Sequence, residues 1–536
     1  MHPSDLRCSM QIDTKHGDLR MQAEVSKARQ TRVHRNLLLA LPVALLLACG
    51  ACSRAPSATP VATPTARVTA AVADQEISRV VAVLPMPATG NDPDAQAFAD
   101  GMADHFTRAL ALLPGVATIS RESAFRYRNS SELNSVIGET LGATHLLRGR
   151  VQRQAGVLRL DVELILADDG SSLWSQHYQR VDGELFGLQD EIVAALAKAM
   201  NTGDAAKPTQ DDRPPNGNTE AYAAVLRGDA LATQADIFSA RQAVDAYQRA
   251  VDLDPNYAYA HARLAQARVR QITQFPLDET DAGNQAEMAR RDAAAALRLA
   301  DDLAEAQLAN AVWLATVAHD QAGALDATRR ALARQPQNAQ LLSMLALRQI
   351  GFGQLDQAVD SLRGALKTNP LSAPTLYSLG SVYLSQADYP QAEHTLKEAL
   401  ELAPGLPLAQ AFLAMAVFQQ NRTSEAITIA KREPVPLWRS YALAMAYWAN
   451  GDRSQSDEEL QVLIRQHAKD AATQIAGVYA QRDDEAQMFH WLEAARQSGD
   501  PGLAEIRYMP YISRYANDPR FVALVKVQGL ATAPSK

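Results

Sequence analysis

Cysteine is nearly absent. The 536-residue chain holds three, Cys8, Cys49 and Cys52, too few for a disulfide framework or a four-ligand zinc set. Aromatic residues make up only 6%, so large rings do not build the core, and the abundant alanine favours closely packed helices instead. Lysine and arginine (52) do not outnumber aspartate and glutamate (60), and the formal charge is −8. That balance supplies no broad basic face for a nucleic acid. No P-loop, H-E-x-x-H or G-x-S-x-G motif occurs. No catalytic residue, metal ligand set, cofactor or small-molecule substrate is therefore expected, and the chain reads as a non-enzyme. Long apolar runs are missing too, apart from one short block near the N-terminus.

That block is "NLLLALPVALLLA", Asn36 to Ala48, preceded by Lys27, Arg29, Arg32 and Arg35. A basic stretch, a short apolar segment and small residues describe a secretory signal. The block is short of the roughly 20 apolar residues of a membrane-spanning helix. Cys49 and Cys52 form a C-x-x-C, but a signal precedes it and a Pro/Ala/Thr-rich tether follows, not the βαβ setting of a redox motif. The tetrapeptide "LLAC", Leu46 to Cys49, resembles a bacterial lipobox. The resemblance implies cleavage before Cys49 and lipid attachment to its thiol, and Cys52 fits less well because Cys49 would then stand where Leu is preferred. Gly50 carries no acidic inner-membrane retention signal, which leans the expected localisation to the outer membrane, facing the periplasm. The alternative is an inner-membrane single-pass anchor. Residues 1–48 thus read as the signal, with Met21 as an alternative start, and 49–77 as the tether.

A first folded unit is expected over 78–201. "RVVAVLP" (Arg79 to Pro85) and "VATIS" read as strands, with a helix between them carrying Phe98, Met102, Phe106 and Leu110 on one face. "SELNSVIGETLG" reads as a helix, and three strands follow. In the middle one Leu158, Leu160, Val162, Leu164 and Leu166 alternate with Arg159, Asp161 and Glu163, the pattern of an antiparallel meander with one wet side. "DEIVAALAKAM" closes an order β-α-β-α-β-β-β-α, an α/β sandwich. The stretches "VAVLPM", "FADGM", "ISRESAFRY", "LGATHLLRGRVQR", "LILADDGSSLWSQHYQR" and "LFGLQDEI" resemble the bacterial TolB N-terminal-like domain. In adenylate-cyclase-like and CadC-like proteins that module precedes helical repeats, although no cyclase or DNA-binding segment is recognisable here.

Residues 202–218 read as a linker by their Pro, Gly and polar content. Repeats follow over 219–500. Pro336, Pro370 and Pro404 stand 34 residues apart, the period of the tetratricopeptide repeat (TPR). The repeat ending at Pro404 carries Leu376, Leu379, Gly380, Tyr383, Ala392, Leu396 and Ala399. Gly380 and Ala392 are small where the two helices of a hairpin cross, and Pro404 stops the second helix. Pro255 and Pro336 are 81 residues apart instead of 68; the excess is assigned to a lengthened turn at "QITQFPLDETDAG". Six to seven hairpins are expected, stacked into an all-α superhelical solenoid. Residues 501–536 resemble the terminus of the TolB-like/TPR family and are expected to cap the last hairpin.

In TPR proteins the first helix of each hairpin lines the groove. Stepping by 34 gives the rows Ser343, Tyr377, Ala411; Leu347, Ser381, Met415; and Ile350, Leu384, Phe418. Of these Ser343, Leu347, Tyr377, Ser381, Met415 and Phe418 are the candidate groove residues. They lack the Lys/Asn set that grips a peptide carboxylate and suit an apolar segment of a protein partner. The expected function is a membrane-tethered TPR scaffold or adaptor for envelope proteins. The alternatives are a sensory module working with a nucleotide cyclase or transcriptional regulator, or a structural envelope protein.

Overall fold

The computed structural model describes residues 79–88, 93–154, 156–202, 212–275 and 277–527. The signal, the tether and Cys49 lie outside them.

The N-terminal unit runs β1 (Arg79–Val83), α1 (Pro93–Leu110), β2 (Val116–Thr118), α2 (Arg121–Ala124), α3 (Asn134–Leu141), β3 (His145–Gln154), β4 (Val157–Leu166), β5 (Ser172–Val181) and α4 (Leu185–Ala199). Its strands form one five-stranded sheet in the order β2-β1-β3-β4-β5. The β1 strand is parallel to β2 and β3, whereas β3, β4 and β5 form the antiparallel meander. Alternation along β4 buries Leu158, Leu160, Val162 and Leu164 with Phe98, Met102 and Phe106 of α1 and Ile192 and Leu196 of α4. The opposite face is only partly wet: Ala82, Leu146 and Ile165 are covered by Ile137 and Leu141 of α3. Beyond the reach of α3, Arg159 and Asp161 face water.

Eight helical hairpins follow among the described residues, one or two more than the proline spacing suggests. They are α5 (Thr219–Ala232) with α6 (Ile237–Leu253), α7 (Ala258–Gln274) with α8 (Glu279–Leu299), α9 (Ala304–Thr316) with α10 (Gln321–Arg334), and α11 (Ala339–Gly351) with α12 (Leu355–Thr368). Then come α13 (Ala373–Ser385) with α14 (Tyr389–Leu402), α15 (Ala409–Phe418) with α16 (Thr423–Ala430), α17 (Pro436–Asn450) with α18 (Arg453–His467), and α19 (Ala472–Gln481) with α20 (Glu485–Ser498). A last helix, α21 (Pro519–Val527), ends the described chain. The hairpin boundaries are written in caps: the side chains of Asp236, Asp278, Asp320, Asp388 and Asp484 each accept a backbone N–H in the first turn of a second helix. The undercount has a physical reason. After Pro404 the hairpins shorten, with only 10 residues in α15 and 8 in α16, so the 34-residue period is lost. The excess between Pro255 and Pro336 is a correction of the same kind. It is not a long turn: it lengthens α7 to 17 and α8 to 21 residues.

The two units are not beads on a string. Tyr222 and Leu226 of α5 belong to the same core as α1 and α4. A Cβ on Gly101 of α1 would lie 2.5 Å from Leu226, so the glycine of "FADGM" is where the first repeat helix presses on the sheet unit. Of the expected linker, Asp212, Arg213 and Pro214 are buried. Asp212 Oδ2 receives His105 Nδ1 at 2.9 Å and Arg108 Nη2 at 2.8 Å, and its backbone carbonyl accepts the Tyr257 hydroxyl. Farther on, the backbone N–H of Ser120 donates to Thr368 O at 2.7 Å, and the Asn369 side chain takes hydrogen bonds from the Ser120 and Ser123 hydroxyls. The sheet unit therefore rests against the solenoid at two places 100 or more residues apart in sequence.

Candidate polypeptide-binding groove

The signature positions pack as helix crossings. In α13, Leu376, Leu379 and Tyr383 are buried, and a Cβ on Gly380 would stand 2.6 Å from Leu396 Cγ of α14. Ala392, Leu396 and Ala399 are fully buried on the facing helix. Pro404 lies exposed in the turn after α14.

The candidate groove residues divide into two sets. Ser343 and Leu347 of α11 are half-buried and line an open cleft. Tyr377 and Phe418 are buried at 3% and 4% exposure, and Ser381 and Met415 are half-buried. In the third row Ile350 is half-buried and Leu384 is buried.

What covers Tyr377, Met415 and Phe418 is the chain's own C-terminal segment. After α20 the chain caps the last hairpin, with Leu503, Ile506, Ile512, Phe521 and Leu524 packed on Ala476, Met488 and Leu492. Between Ile506 and Ile512 it reaches back along the concave face. Arg507 Nη2 donates to Gly351 O at 2.7 Å. Met509 and Tyr511 pack on the core that holds Tyr377, Phe418 and Tyr441. Beneath them runs a row of rings that the 34-residue stepping misses: Tyr377–Phe412 (5.4 Å), Phe412–Trp438 (5.7 Å) and Trp438–Tyr441 (5.8 Å). Burial pushes the Tyr377 hydroxyl well above the usual tyrosine range, helped by nearby Glu505 and Glu433. Burial, with Asp500 beside it, pushes the Glu505 carboxyl up to about 8.

The other half of the groove faces the sheet unit across a cleft of about 2050 Å³. Its solenoid wall carries Leu308, Leu341, Met344 and Leu347 from α9 and α11, together with Ser343 and Thr375. The opposite wall is α1 and the segment from Ser120 to Ser130. Charges of both signs line it, mostly as pairs. Arg128 Nη2 donates to Asp100 Oδ2 at 2.7 Å, and Arg121 bridges Asp100 and Asp104. Arg263 Nε donates to Asp229 Oδ1 at 2.8 Å, which also accepts the Tyr247 hydroxyl at 2.6 Å. Burial raises the Asp104 and Glu305 carboxyls from their ordinary values. Burial also disfavours the charge on Asp212, but His105 and Arg108 outweigh it and hold that carboxyl far below its ordinary value. The Arg108 guanidinium lies over the Tyr259 ring, 5.5 Å from its centroid.

Among the described residues no group of three or more His, Cys, Asp or Glu is placed to hold a metal. No described helix is long and apolar enough to cross a membrane. The arrangement offers an apolar wall, hydroxyls and fixed charge pairs.

Comparison with known proteins agrees with the repeat assignment. A tetratricopeptide-repeat family model matches residues 343–407 and 377–436, and the chain contains TPR repeats. A putative adenylate cyclase 3 of Rhizobium meliloti (strain 1021) is 29% identical over 187 residues, 34% of this chain and 32% of the relative. The chain thus spans about a third of that relative's length. Among solved structures, Pseudomonas aeruginosa pilF is 19% identical with a TM-score of 0.34, covering 39% of this chain and 92% of that one. YrrB, a TPR protein with an unusual peptide-binding site, is 16% identical with a TM-score of 0.29, covering 41% and 99%. Human IFIT1 with m7Gppp-AAAA is 15% identical with a TM-score of 0.34, covering 58% and 77%.

Proposed function

We propose that this chain is a non-catalytic, membrane-tethered TPR adaptor that holds an extended segment of a partner protein in the cleft between its sheet unit and its middle repeats. The observation that carries the reading is the cleft itself. It is the open part of the concave face, it contains Ser343 and Leu347 of the 34-residue rows, and at about 2050 Å³ it has room for a peptide. The wall of Leu308, Met344 and Leu347 would take apolar side chains, and the paired Asp and Arg rims would orient the backbone. Rims of mixed sign do not favour a polyanion, so a nucleic acid is the poorer fit. The sheet unit corresponds in this reading to a TolB N-terminal-like domain, on its sequence motifs and its element order. Lipid at Cys49 would hold the chain at the outer membrane on the periplasmic side.

The match to a putative adenylate cyclase favours a second reading, a regulatory module whose cyclase is a separate chain. A peptide selection separates site from surface. Twelve-residue peptides selected on the full chain should lose binding in Leu347→Glu and keep it in Lys367→Glu, an exposed position on α12. Selected peptides that bind both variants equally would sink the cleft assignment.

A further inference from the structure

The segment Glu505 to Ile512 fills the half of the groove that the cleft leaves over. Its sequence is Glu-Ile-Arg-Tyr-Met-Pro-Tyr-Ile. Two anchors belong to the capping core, Ile506 at 1% and Ile512 at 0% exposure. The residues between them are turns without regular secondary structure, so side chains hold the segment in place. Its seats are specific. Arg507 meets a free carbonyl at the end of α11, one of the four that every helix leaves unsatisfied. Tyr508 stands over Gly353, where any Cβ would come within 2.5 Å of its hydroxyl. Met509 reaches Gly477 of α19, where a Cβ would lie 2.9 Å from its methyl group. Two glycines and one carbonyl thus make room for three consecutive side chains.

The fit is incomplete. The hydroxyl of Tyr377 is buried with no hydrogen-bond partner, an arrangement that costs stability whenever it persists. Glu505 is a carboxyl held in a half-buried place. It faces Tyr377 on α13 and Tyr441 on α17, with Asp500 in its own segment, while Glu433 lies near Tyr377 and Tyr511 near Tyr441.

We infer that this half of the groove is a second polypeptide site, that the chain's own 505–512 segment is its resident occupant, and that a partner segment of the same chemistry displaces it: a cation, then an aromatic–methionine–proline–aromatic run. A partner that offers an acceptor to the Tyr377 hydroxyl satisfies a group the resident segment leaves bare. It has to overcome the tether, which sets the local concentration of the resident segment at about the millimolar level or higher. The site is separate from the cleft, and its failure would leave the cleft assignment standing.

The probe is a labelled synthetic peptide of residues 505–512, titrated into the full chain and into the full chain carrying Met509→Glu and Tyr511→Glu. In that variant the resident segment no longer fits, whereas the receiving helices are untouched. The peptide should bind the variant at least tenfold more tightly than the parent, and a scrambled peptide should not. A normally melting variant that binds no tighter, or binds the scrambled peptide equally, overturns the inference. Should the variant melt early, the parent decides by hydrogen exchange. Release favours ionised Glu505, so protection of 507–511, corrected for intrinsic exchange, should fall about tenfold per pH unit through the window between the carboxyl's free and docked values, pH 4.5 to 8. It should level off above that window. Glu505→Gln should flatten the dependence. Protection equal to that of the capping core at every pH makes the segment a fixed part of the fold and overturns the inference.

Discussion

Replacing Asp212 with asparagine tests whether the sheet unit and the solenoid are welded or merely adjacent. One oxygen, Asp212 Oδ2, receives both His105 Nδ1 and Arg108 Nη2, and the side chain is only 9% exposed. Asparagine keeps the shape and removes the charge, leaving two donors facing a neutral amide. Breaking a buried ion pair typically costs about 3–5 kcal/mol. Arg108 is 29% exposed and regains some water, so a loss of about 2–3 kcal/mol is expected. The sign with pH is fixed by the depressed carboxyl. Its stabilisation is present above the ordinary value of 3.8 and fades as the pH falls below it, so parent and variant should converge in acid. Because a chain with two units need not unfold in one step, the readout should be local. Hydrogen exchange across α1, α5 and the start of α7, with urea unfolding alongside, would show those elements opening earlier. Glu287→Gln, which breaks a solvent-exposed pair with Arg290 and Arg291, serves as a control with no expected change. Equal exchange in Asp212→Asn and parent at neutral pH would refute the weld.

Further outcomes follow from other contacts. Gly380→Ala gains about 1 kcal/mol of helix propensity but puts a methyl 2.6 Å from Leu396 Cγ; since overpacking costs about 1–3 kcal/mol, urea melts should show a net loss. Gly364→Ala, whose nearest neighbour would be Leu342 at 3.4 Å, should be neutral or stabilising. Burial opposes the charge of Glu393, yet hydrogen bonds from Lys397, Arg422 and Gln420 hold its pKa down to about 2. Arg422→Met should therefore lower the melting temperature modestly at neutral pH, and the gap should close as the pH falls from 4.5 towards 2 in thermal melts. Cys49→Ser should abolish labelling by a fatty-acid analogue and release the protein from membranes; unchanged retention with no labelling of the parent would favour an uncleaved anchor.

Local chemistry made much of this legible. Alternation in β4 fixes which face is buried, and the 34-residue spacing marks Gly380 and Ala392 as the small residues of a helix crossing. Contacts between distant segments leave no such period. Arg507 meets Gly351 across 156 residues, and nothing in "RYMPYI" announces a destination in the groove. The same holds for Gly101 against Leu226, and for Asp212 against His105. The ring row of Phe412, Trp438 and Tyr441 was hidden for a second reason. The period breaks around Pro404: stepping by 34 from Tyr377 lands on Ala411, one residue short of Phe412, and Trp438 then follows only 26 residues after Phe412. Asp236, Asp278, Asp320, Asp388 and Asp484 stand in the sequence as caps of second helices, but α16 of the shortened hairpin follows Arg422 with no side-chain cap to mark it.

The most direct measurement is crosslinking in cells from a photoreactive residue placed at Leu347, with matched positions at Lys367 on α12 and Gln176 on the exposed edge strand β5. If the cleft holds a partner, Leu347 should link to one extended segment of another protein, and the two control positions should not. Links from Leu347 only to this chain's own α1, with the same partner captured instead at Lys367 or Gln176, would contradict it.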